Sequence, residues 1–334
     1  MIHLTSLLAL LLSGFVADAE FAPQVGDVVV VLRDIPVRRG GEIIQKLTPG
    51  QCLEVYGVRQ KFLWISSVTS GWIDQRHVAT PEHAIEFFSN RIKQTPRDAA
   101  GYVNRGRAKL GAAKYDAAIE DFDAALRLAP QYAAAFKCRG LALVHKDSID
   151  KARDDFNRTL AIDGRNVEAL LYRGALSART GEFETAIADF SECIRLSPQH
   201  AGAYRMRAAA LAKTKEPEKA LEDLSFVLKL NPKDSIALSN RAAIWLEMDE
   251  CDKAIADCDA AIRLNARNAD AYANRAAVSL KKQDFDQALA DSNAAIRLDP
   301  TNAEFRTRRA LILAAGQKDT VRDERVAGSE RQNK

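Results

Sequence analysis

The stretch Ala269–Leu280, "ADAYANRAAVSL", decides the fold. Its apolar residues recur at helical spacing and predict an α-helix with one buried face, yet Arg275 lies in the middle of that face. Arginine recurs at this place every 34 residues, at Arg105, Arg139, Arg173, Arg207, Arg241, Arg275 and Arg309. Such regular spacing indicates an internal repeat.

The residues around each arginine repeat as well, when Ala99 is counted as position 1. Position 20 is alanine in every unit, as at Ala118. Position 4 is bulky: Tyr102, Phe136, Leu170, Tyr204, Leu238 and Tyr272. Position 8 is small: Gly106, Gly140, Gly174, Ala208, Ala242 and Ala276. Position 24 holds Phe122, Phe156, Phe190, Leu224, Cys258 and Ser292, and position 32 holds Pro130, Gly164, Pro198, Pro232, Ala266 and Pro300. Each unit therefore predicts two antiparallel helices that approach closely at positions 8 and 20 and bury their apolar face by stacking on neighbours.

This pattern resembles the tetratricopeptide-repeat (TPR) family, with its bulky position 4, small positions 8 and 20, large position 24 and closing proline. The resemblance implies an α-solenoid of six repeats over residues 99–302. A half-repeat helix at 82–98 precedes them, and a capping helix at 303–316 follows. Thr80 and Pro81 predict the N-cap and first-turn proline of the half-repeat helix.

Position 7, where the arginines lie, is usually leucine in this family, so the arginines require a separate explanation. Position 23 is aspartate in all six repeats: Asp121, Asp155, Asp189, Asp223, Asp257 and Asp291. In a helix pair that turns near position 15, positions 7 and 23 lie at similar heights. A partly buried arginine is costly without a compensating carboxylate. We therefore predict a structural ion-pair ladder between positions 7 and 23, formed within a repeat or across to its neighbour.

The resemblance also implies a binding surface. Arrays of this kind present a concave face built from first-helix positions 2, 5, 6, 9, 12 and 13. In this chain the candidate peptide-binding residues are Arg107, Lys137, Tyr172, Arg179, Arg205, Met206, Asn240 and Asn274, accompanied by Cys138, Leu141 and Lys213. Basic side chains and asparagine amides favour an extended, acidic or carboxylate-bearing peptide. The alternative is that the basic residues only keep this face soluble.

Residues 21–80 form a different module. They are rich in β-branched residues, with turn signals at Gly40-Gly41, Pro49-Gly50 and Ser70-Gly71, and predict about five short strands. An opening apolar strand, an arginine-bearing loop, Gly50, Trp64 and the closing Gly71-Trp72-Ile73 resemble bacterial SH3-like domains. We expect a small all-β SH3-like barrel in which Trp64 and Trp72 are core aromatics.

The two ends of the chain predict segments outside these domains. The apolar run from Leu7 towards Val16, followed by Ala17-Asp18-Ala19, predicts a signal peptide at 1–19 that is cleaved after Ala19. Export would place the protein in the periplasm or outside the cell, and an uncleaved N-terminal anchor is the alternative. The charged, apolar-poor tail at 317–334 is expected to be disordered.

The sequence favours a binding function over catalysis. It has no nucleophile elbow, phosphate loop or helical metal motif, and it indicates no cofactor or metal. The small net charge of +3 argues against a nucleic-acid partner. The five cysteines show no metal-ligand spacing and are expected to be free, core-filling thiols. We expect a non-enzymatic protein-interaction scaffold; the alternative is a cell-envelope module whose β domain contacts wall glycopeptide while the repeats act as a spacer.

Overall fold

A computed structural model describes residues 28–39, 42–59, 62–66 and 71–316 of the chain. The predicted signal peptide and C-terminal tail lie outside these residues. The chain divides into two compact units. The N-terminal unit comprises the described residues up to Glu182 with Arg195–Ser197, and the C-terminal unit comprises Phe183–Ile194 and the described residues from Pro198 onward.

The N-terminal unit begins with an antiparallel sheet that has seven strands among its described residues, where the sequence predicts about five. The strands are β1 (Val28–Val31), β2 (Ile35–Arg39), β3 (Glu42–Leu47), β4 (Cys52–Arg59), β5 (Phe62–Ser66), β6 (Gly71–Asp74) and β7 (Val78–Ala79). Their order in the sheet is β3-β2-β6-β5-β4-β1-β7. Strand β7 has two residues and follows a 3₁₀ turn, so it is too short to show the alternation that identifies strands in a sequence.

Alternation of side chains along the strands builds the core of this β domain. The fully or almost fully buried residues are Val29, Val31, Ile35, Val37, Leu47, Leu53, Val55, Leu63, Ile65, Ile73 and Val78. Trp72 precedes the buried Ile73 and therefore lies on the other face of β6, where it is half-buried. The expectation that Trp72 is a core aromatic is thus wrong. Its backbone pairs with that of Trp64, whose side chain lies outside the described part.

Helices joined by short turns make up the rest of the described chain. They are α1 (Pro81–Gln94), α2 (Ala99–Gly111), α3 (Tyr115–Leu128), α4 (Ala133–His145), α5 (Ile149–Ile162), α6 (Val167–Arg179), α7 (Phe183–Leu196), α8 (Ala201–Lys213), α9 (Pro217–Leu230), α10 (Ser235–Glu247), α11 (Cys251–Leu264), α12 (Ala269–Lys281), α13 (Phe285–Leu298) and α14 (303–316). The even-numbered helices from α2 to α12 are the first helices of the six repeats, and the odd-numbered helices from α3 to α13 are the second helices. The Thr80 hydroxyl accepts from the His83 N–H at 2.7 Å, and Pro81 opens α1, as predicted. No helix within the described residues combines the length and apolarity needed to cross a bilayer.

The turn between the helices of each repeat requires a left-handed residue. Position 15 has positive φ in every described repeat: Ala113, Asp147, Gly181, Lys215, Asp249 and Gln283. Only Gly181 is a glycine, and a residue with a Cβ pays about 1–2 kcal/mol in this conformation. These five turns therefore hold local backbone strain.

We expect that glycine at one of these positions stabilises the protein. Lys215 has φ of 61°, so Lys215→Gly should raise the free energy of unfolding by about 0.5–1 kcal/mol, measured by urea denaturation. The control Glu222→Gly, at an exposed position in the interior of α9, should lower it by about 1 kcal/mol. Equal losses in the two variants would contradict the strain at position 15.

Positions 8 and 24 complement each other in volume inside the helix pairs. A Cβ added at Gly106 would lie 2.5 Å from the ring of Phe122, and one at Gly140 would lie 2.8 Å from the ring of Phe156. Where position 24 is smaller, as at Leu224, Cys258 and Ser292, position 8 is alanine. Glycine therefore makes room for a phenylalanine ring, and alanine fills the space in front of a smaller residue.

The five cysteines are all free thiols. Cys138, Cys193 and Cys258 are buried, whereas Cys52 and Cys251 are half-buried. Burial raises the pKa of Cys193 to about 11 and that of Cys258 to about 12. These thiols are neutral at physiological pH and pack as small apolar groups.

Candidate peptide-binding face and arginine ladder

Arg275 makes two contacts that explain its place in the helix face. Its Nε and Nη2 atoms donate to the two carboxylate oxygens of Asp291 at 2.8 and 2.7 Å, which is a bidentate pair within one repeat. Its Nη1 atom donates to Asp259 Oδ1 at 2.6 Å, in the second helix of the preceding repeat. The guanidinium carbon also lies 5.7 Å from the ring centroid of Tyr272. One arginine thus connects three helices.

The same bidentate pair recurs in other repeats of both compact units. The pairs have donor–acceptor distances of 2.7–2.9 Å and join Arg105 to Asp121, Arg139 to Asp155, Arg207 to Asp223, Arg241 to Asp257 and Arg275 to Asp291. Arg173 belongs to the N-terminal unit and Asp189 to the C-terminal unit. Within its own unit, Arg173 donates to Asn157 Oδ1 at 2.8 Å.

A further contact, made by Arg105, Arg139, Arg173, Arg207, Arg275 and Arg309, involves residues that the sequence prediction did not include. Position 25 of the preceding repeat, 16 residues before the arginine, supplies a polar acceptor. These acceptors are Ser89, Asp123, Asn157, Ser191, Asp259 and Asn293. The signal was present as a recurring serine, asparagine or aspartate at position 25. The pair between positions 7 and 23 therefore forms within a repeat, and the contact across repeats goes to position 25 and not to position 23.

Burial makes these pairs different from surface ion pairs. The aspartates at position 23 are buried, and Asp291 is 3% exposed. Asp155 shows the opposing effects on such a carboxylate: burial raises its pKa, while the bonds from Arg139 act to lower it. Bonds to Asp155 and Asp123 raise the pKa of Arg139, so the guanidinium stays charged. Each carboxylate therefore depends on its arginine to offset the cost of leaving water.

The N-terminal unit uses most of its predicted peptide-binding residues in internal contacts. Arg107 donates from Nε to Cys138 Sγ at 3.3 Å and from Nη1 to the Pro49 carbonyl oxygen at 3.4 Å. Lys137 pairs with Glu168. The buried Tyr172 ring lies 5.7 Å from that of Phe156, and burial raises the pKa of its hydroxyl.

The remaining positions of this unit differ in exposure. Arg179 pairs with Asp147 near the surface. Leu141 is buried. The basic groups predicted as a free positive surface in this unit are therefore largely matched by acceptors of the chain itself.

In the C-terminal unit, too, several predicted peptide-binding residues make internal contacts. Arg205 Nη1 donates to Asp234 Oδ2 at 2.5 Å, and Asp234 also caps the start of α10. Asn274 Nδ2 donates to the carbonyl oxygen of Ser239 at 2.9 Å, so its amide links two successive first helices. Asn240 is buried, Met206 is half-buried and Lys213 is exposed. Of the basic candidates in this unit, Lys213 is the more exposed.

Arg308 occupies the place in α14 that Asn274 occupies in α12. Its Nη1 atom donates to the carbonyl oxygen of Ala273 at 2.9 Å, which repeats the contact of Asn274 one helix pair later. This contact attaches the capping helix to the last repeat. Among the residues that the structure describes, no group of three or more histidine, cysteine, aspartate or glutamate side chains could hold a metal ion.

Comparison with known proteins identifies the repeats. The sequence profile described as tetratricopeptide repeat matches residues 103–167, 176–235 and 246–303, which together exceed half of the chain. No curated protein sequence matches the chain.

Solved structures share the helix-pair architecture. A chain of the APC/C hetero-tetramer Cut9-Hcn1 has a TM-score of 0.59 at 14% identity, over 70% of this chain and 46% of that chain. A tetratricopeptide-repeat protein of Parabacteroides merdae has a TM-score of 0.58 at 19% identity, over 70% and 92%. Pseudomonas aeruginosa PilF has a TM-score of 0.54 at 20% identity, over 64% and 99%. The chain thus spans less than half of the first structure, and these identities establish the fold alone. Together with the profile match, the recurring helix pairs show that the chain belongs to the tetratricopeptide-repeat family, with a small β domain before its α-solenoid repeats.

Proposed function

We propose that the protein is a non-enzymatic scaffold that binds an extended segment of a partner protein along the first helices of its repeats. Proteins of this family bind protein or peptide partners. The observation that carries the proposal is a row of alanines at position 9 in the C-terminal unit: Ala209, Ala243 and Ala277, all half-buried. Because alanine projects a single methyl group, a partner main chain can approach these helices closely.

Neighbouring side chains give this row the character of a peptide site. Ile236, at position 2 of repeat 5, is 39% exposed, and Met206 is half-buried, so apolar contacts are available beside the alanines. Polar side chains at position 6, such as Asn274, lie where successive first helices meet. A row of small residues with apolar and amide side chains beside it suits an extended segment.

The preference for acidic residues in the partner is part of the same proposal. Lys213 is exposed at position 13 of repeat 4, and Lys281 occupies position 13 of repeat 6. Lys281 pairs with Asp249 at 2.6 Å, but both side chains are largely exposed, so water and salt screen their attraction. A carboxylate of the partner can therefore replace Asp249 at little cost.

Selection from a random peptide library on the full chain tests this function. Selected peptides should bind the chain in solution and should be enriched in acidic residues. Ala243→Arg places a long side chain on the alanine row and should weaken binding at least about tenfold, which is about 1.4 kcal/mol. The control Ala256→Arg makes the same change at an exposed position of α11 and should leave binding unchanged. Peptides that bind the Ala243→Arg chain as well as the original chain would contradict the proposed site.

The β domain supports a second candidate function, binding of wall glycopeptide. Large side chains are exposed on its strands: Ile43, Tyr56, Val58 and Phe62 are each between 39% and 60% exposed. Aromatic and apolar faces suit sugar rings and peptide stems. Sedimentation of the full chain with purified wall sacculi, lost in a Tyr56→Ala and Phe62→Ala double variant, would favour this function. Its absence would leave the repeats as the binding element.

A further inference from the structure

A turn of the β domain lies against the first helix of repeat 1. The turn Thr48–Gln51 joins β3 to β4, and its Pro49 carbonyl oxygen accepts from Arg107 Nη1 in α2 at 3.4 Å. Just after the turn, the Cys52 thiol lies 3.6 Å from the main-chain oxygen of Arg107. All of these residues belong to the N-terminal unit.

Gly50 makes the closest approach to the helix. Its φ is +78°, and a Cβ built on it would lie 2.8 Å from Asn104 Oδ1, 2.9 Å from Asn104 Cα and 3.2 Å from Arg107 Cδ. The Asn104 Cα belongs to the helix backbone and cannot rotate away. Any residue other than glycine would therefore separate the turn from α2, because the backbone conformation and the available space both exclude a side chain.

Apolar packing continues from this contact. Val30 and Ala79 of the sheet, Ala84 and Phe88 of α1, and Ala108 of α2 form one buried cluster. A buried core that the β domain shares with α1 and α2 therefore helps to hold the turn against α2.

The two helix residues that receive the turn have a particular place in the repeat. Asn104 and Arg107 are positions 6 and 9 of repeat 1, and the same positions form the proposed binding face in later repeats. We propose that the Pro49-Gly50 turn is an internal ligand of repeat 1: it occupies the partner-binding positions there, holds the β domain in place and restricts partner binding to the repeats that follow.

Two features of the turn are recognised by the first helix of repeat 1. The Arg107 guanidinium donates to the main-chain carbonyl oxygen of Pro49, and the helix surface at Asn104 has room for the backbone of Gly50 but not for a side chain. Arg107 donates to Pro49 and to Cys138, so both of these hydrogen bonds are internal to the chain. The inference relies on the proposed function only to identify positions 6 and 9 as partner-binding. The contact itself can be tested without a partner.

The test compares alanine at two left-handed glycines of the N-terminal unit. In Gly50→Ala the added Cβ strains the left-handed backbone and also collides with α2. In Gly181→Ala, at φ of +84°, the backbone strain is the same, but the added Cβ has no atom within 4 Å. The measurement is the rate of Cys52 alkylation by iodoacetamide in the full chain, resolved by peptide mass spectrometry. Burial raises the pKa of the Cys52 thiol to about 12, so release of the turn should expose and activate it.

We expect Cys52 to react at least about tenfold faster in Gly50→Ala than in Gly181→Ala. Cys251, in the C-terminal unit, is the internal reference, and its rate should be equal in both variants. Arg107→Ala leaves the turn backbone intact and removes the bond to Pro49, and it covers the case in which Gly50→Ala does not fold. The loss of the positive charge raises the pKa of the Cys52 thiol, but exposure of the thiol on release of the turn should outweigh this and accelerate its alkylation. An unchanged Cys52 rate in every variant that folds, or equal acceleration in Gly181→Ala, would overturn the proposal.

Discussion

Arg275→Met is expected to lower the free energy of unfolding by about 3–5 kcal/mol. The substitution keeps most of the apolar volume but removes the charge that faces two carboxylates. Asp291, 3% exposed, would lose both of its bonds from the guanidinium, and Asp259 would lose its bond at 2.6 Å. Burial of a carboxylate away from water costs free energy, and without the arginine no cation offsets that cost. The midpoint of urea denaturation, followed by far-UV circular dichroism, measures the loss.

The control is the same substitution at a solvated position of the neighbouring helix. Arg297 is exposed near the end of α13, so Arg297→Met should change the free energy of unfolding by less than about 0.5 kcal/mol. Equal, small effects of the two substitutions would mean that the ladder arginines behave as ordinary surface residues.

Gly106→Ala should lower the free energy of unfolding by about 1–3 kcal/mol, although alanine is the better helix former. The added methyl group would lie 2.5 Å from the fully buried ring of Phe122. Relief of this contact requires the buried ring or the two helices of repeat 1 to move. Thermal or urea denaturation of the full chain measures the effect.

Another repeat of the chain shows which second substitution should restore the stability of this variant. Repeat 4 pairs Ala208 with Leu224 at the same two positions, and both are fully buried. Adding Phe122→Leu to Gly106→Ala should therefore recover most of the lost stability, although Phe122→Leu alone is destabilising. Strictly additive losses would show that positions 8 and 24 do not share one volume.

The repeat pattern allowed much of the fold to be predicted because it is periodic. The alanine at position 20 and the small residue at position 8 indicated close helix pairs, and the signals at Thr80 and Pro81 placed the start of α1. The sheet was harder: β7 is two residues long, and Trp72 faces away from the core because the buried Ile73 fixes the alternation of β6. The likeness of the β domain to SH3-like barrels remains a prediction.

Side-chain contacts were only partly predictable, because a sequence shows position but not distance. The arginine at position 7 and the aspartate at position 23 were identified through the mismatch with an apolar face. The acceptor at position 25 was missed, because Asp123 and Asn157 look like ordinary polar residues of a second helix. The internal use of Arg107 could not be foreseen either, since its acceptor at Pro49 is 58 residues away in another domain.

A double-mutant cycle between Arg275 and Asp291 tests the central claim most directly, that the recurring opposite charges bind successive helices together. The cycle uses Arg275→Met, Asp291→Leu and the double variant, with urea denaturation for each. The account predicts a coupling free energy of about 2–3 kcal/mol, because Arg275→Met leaves the buried Asp291 without its cation, whereas the double variant removes both members of that pair. A coupling energy near zero would contradict it.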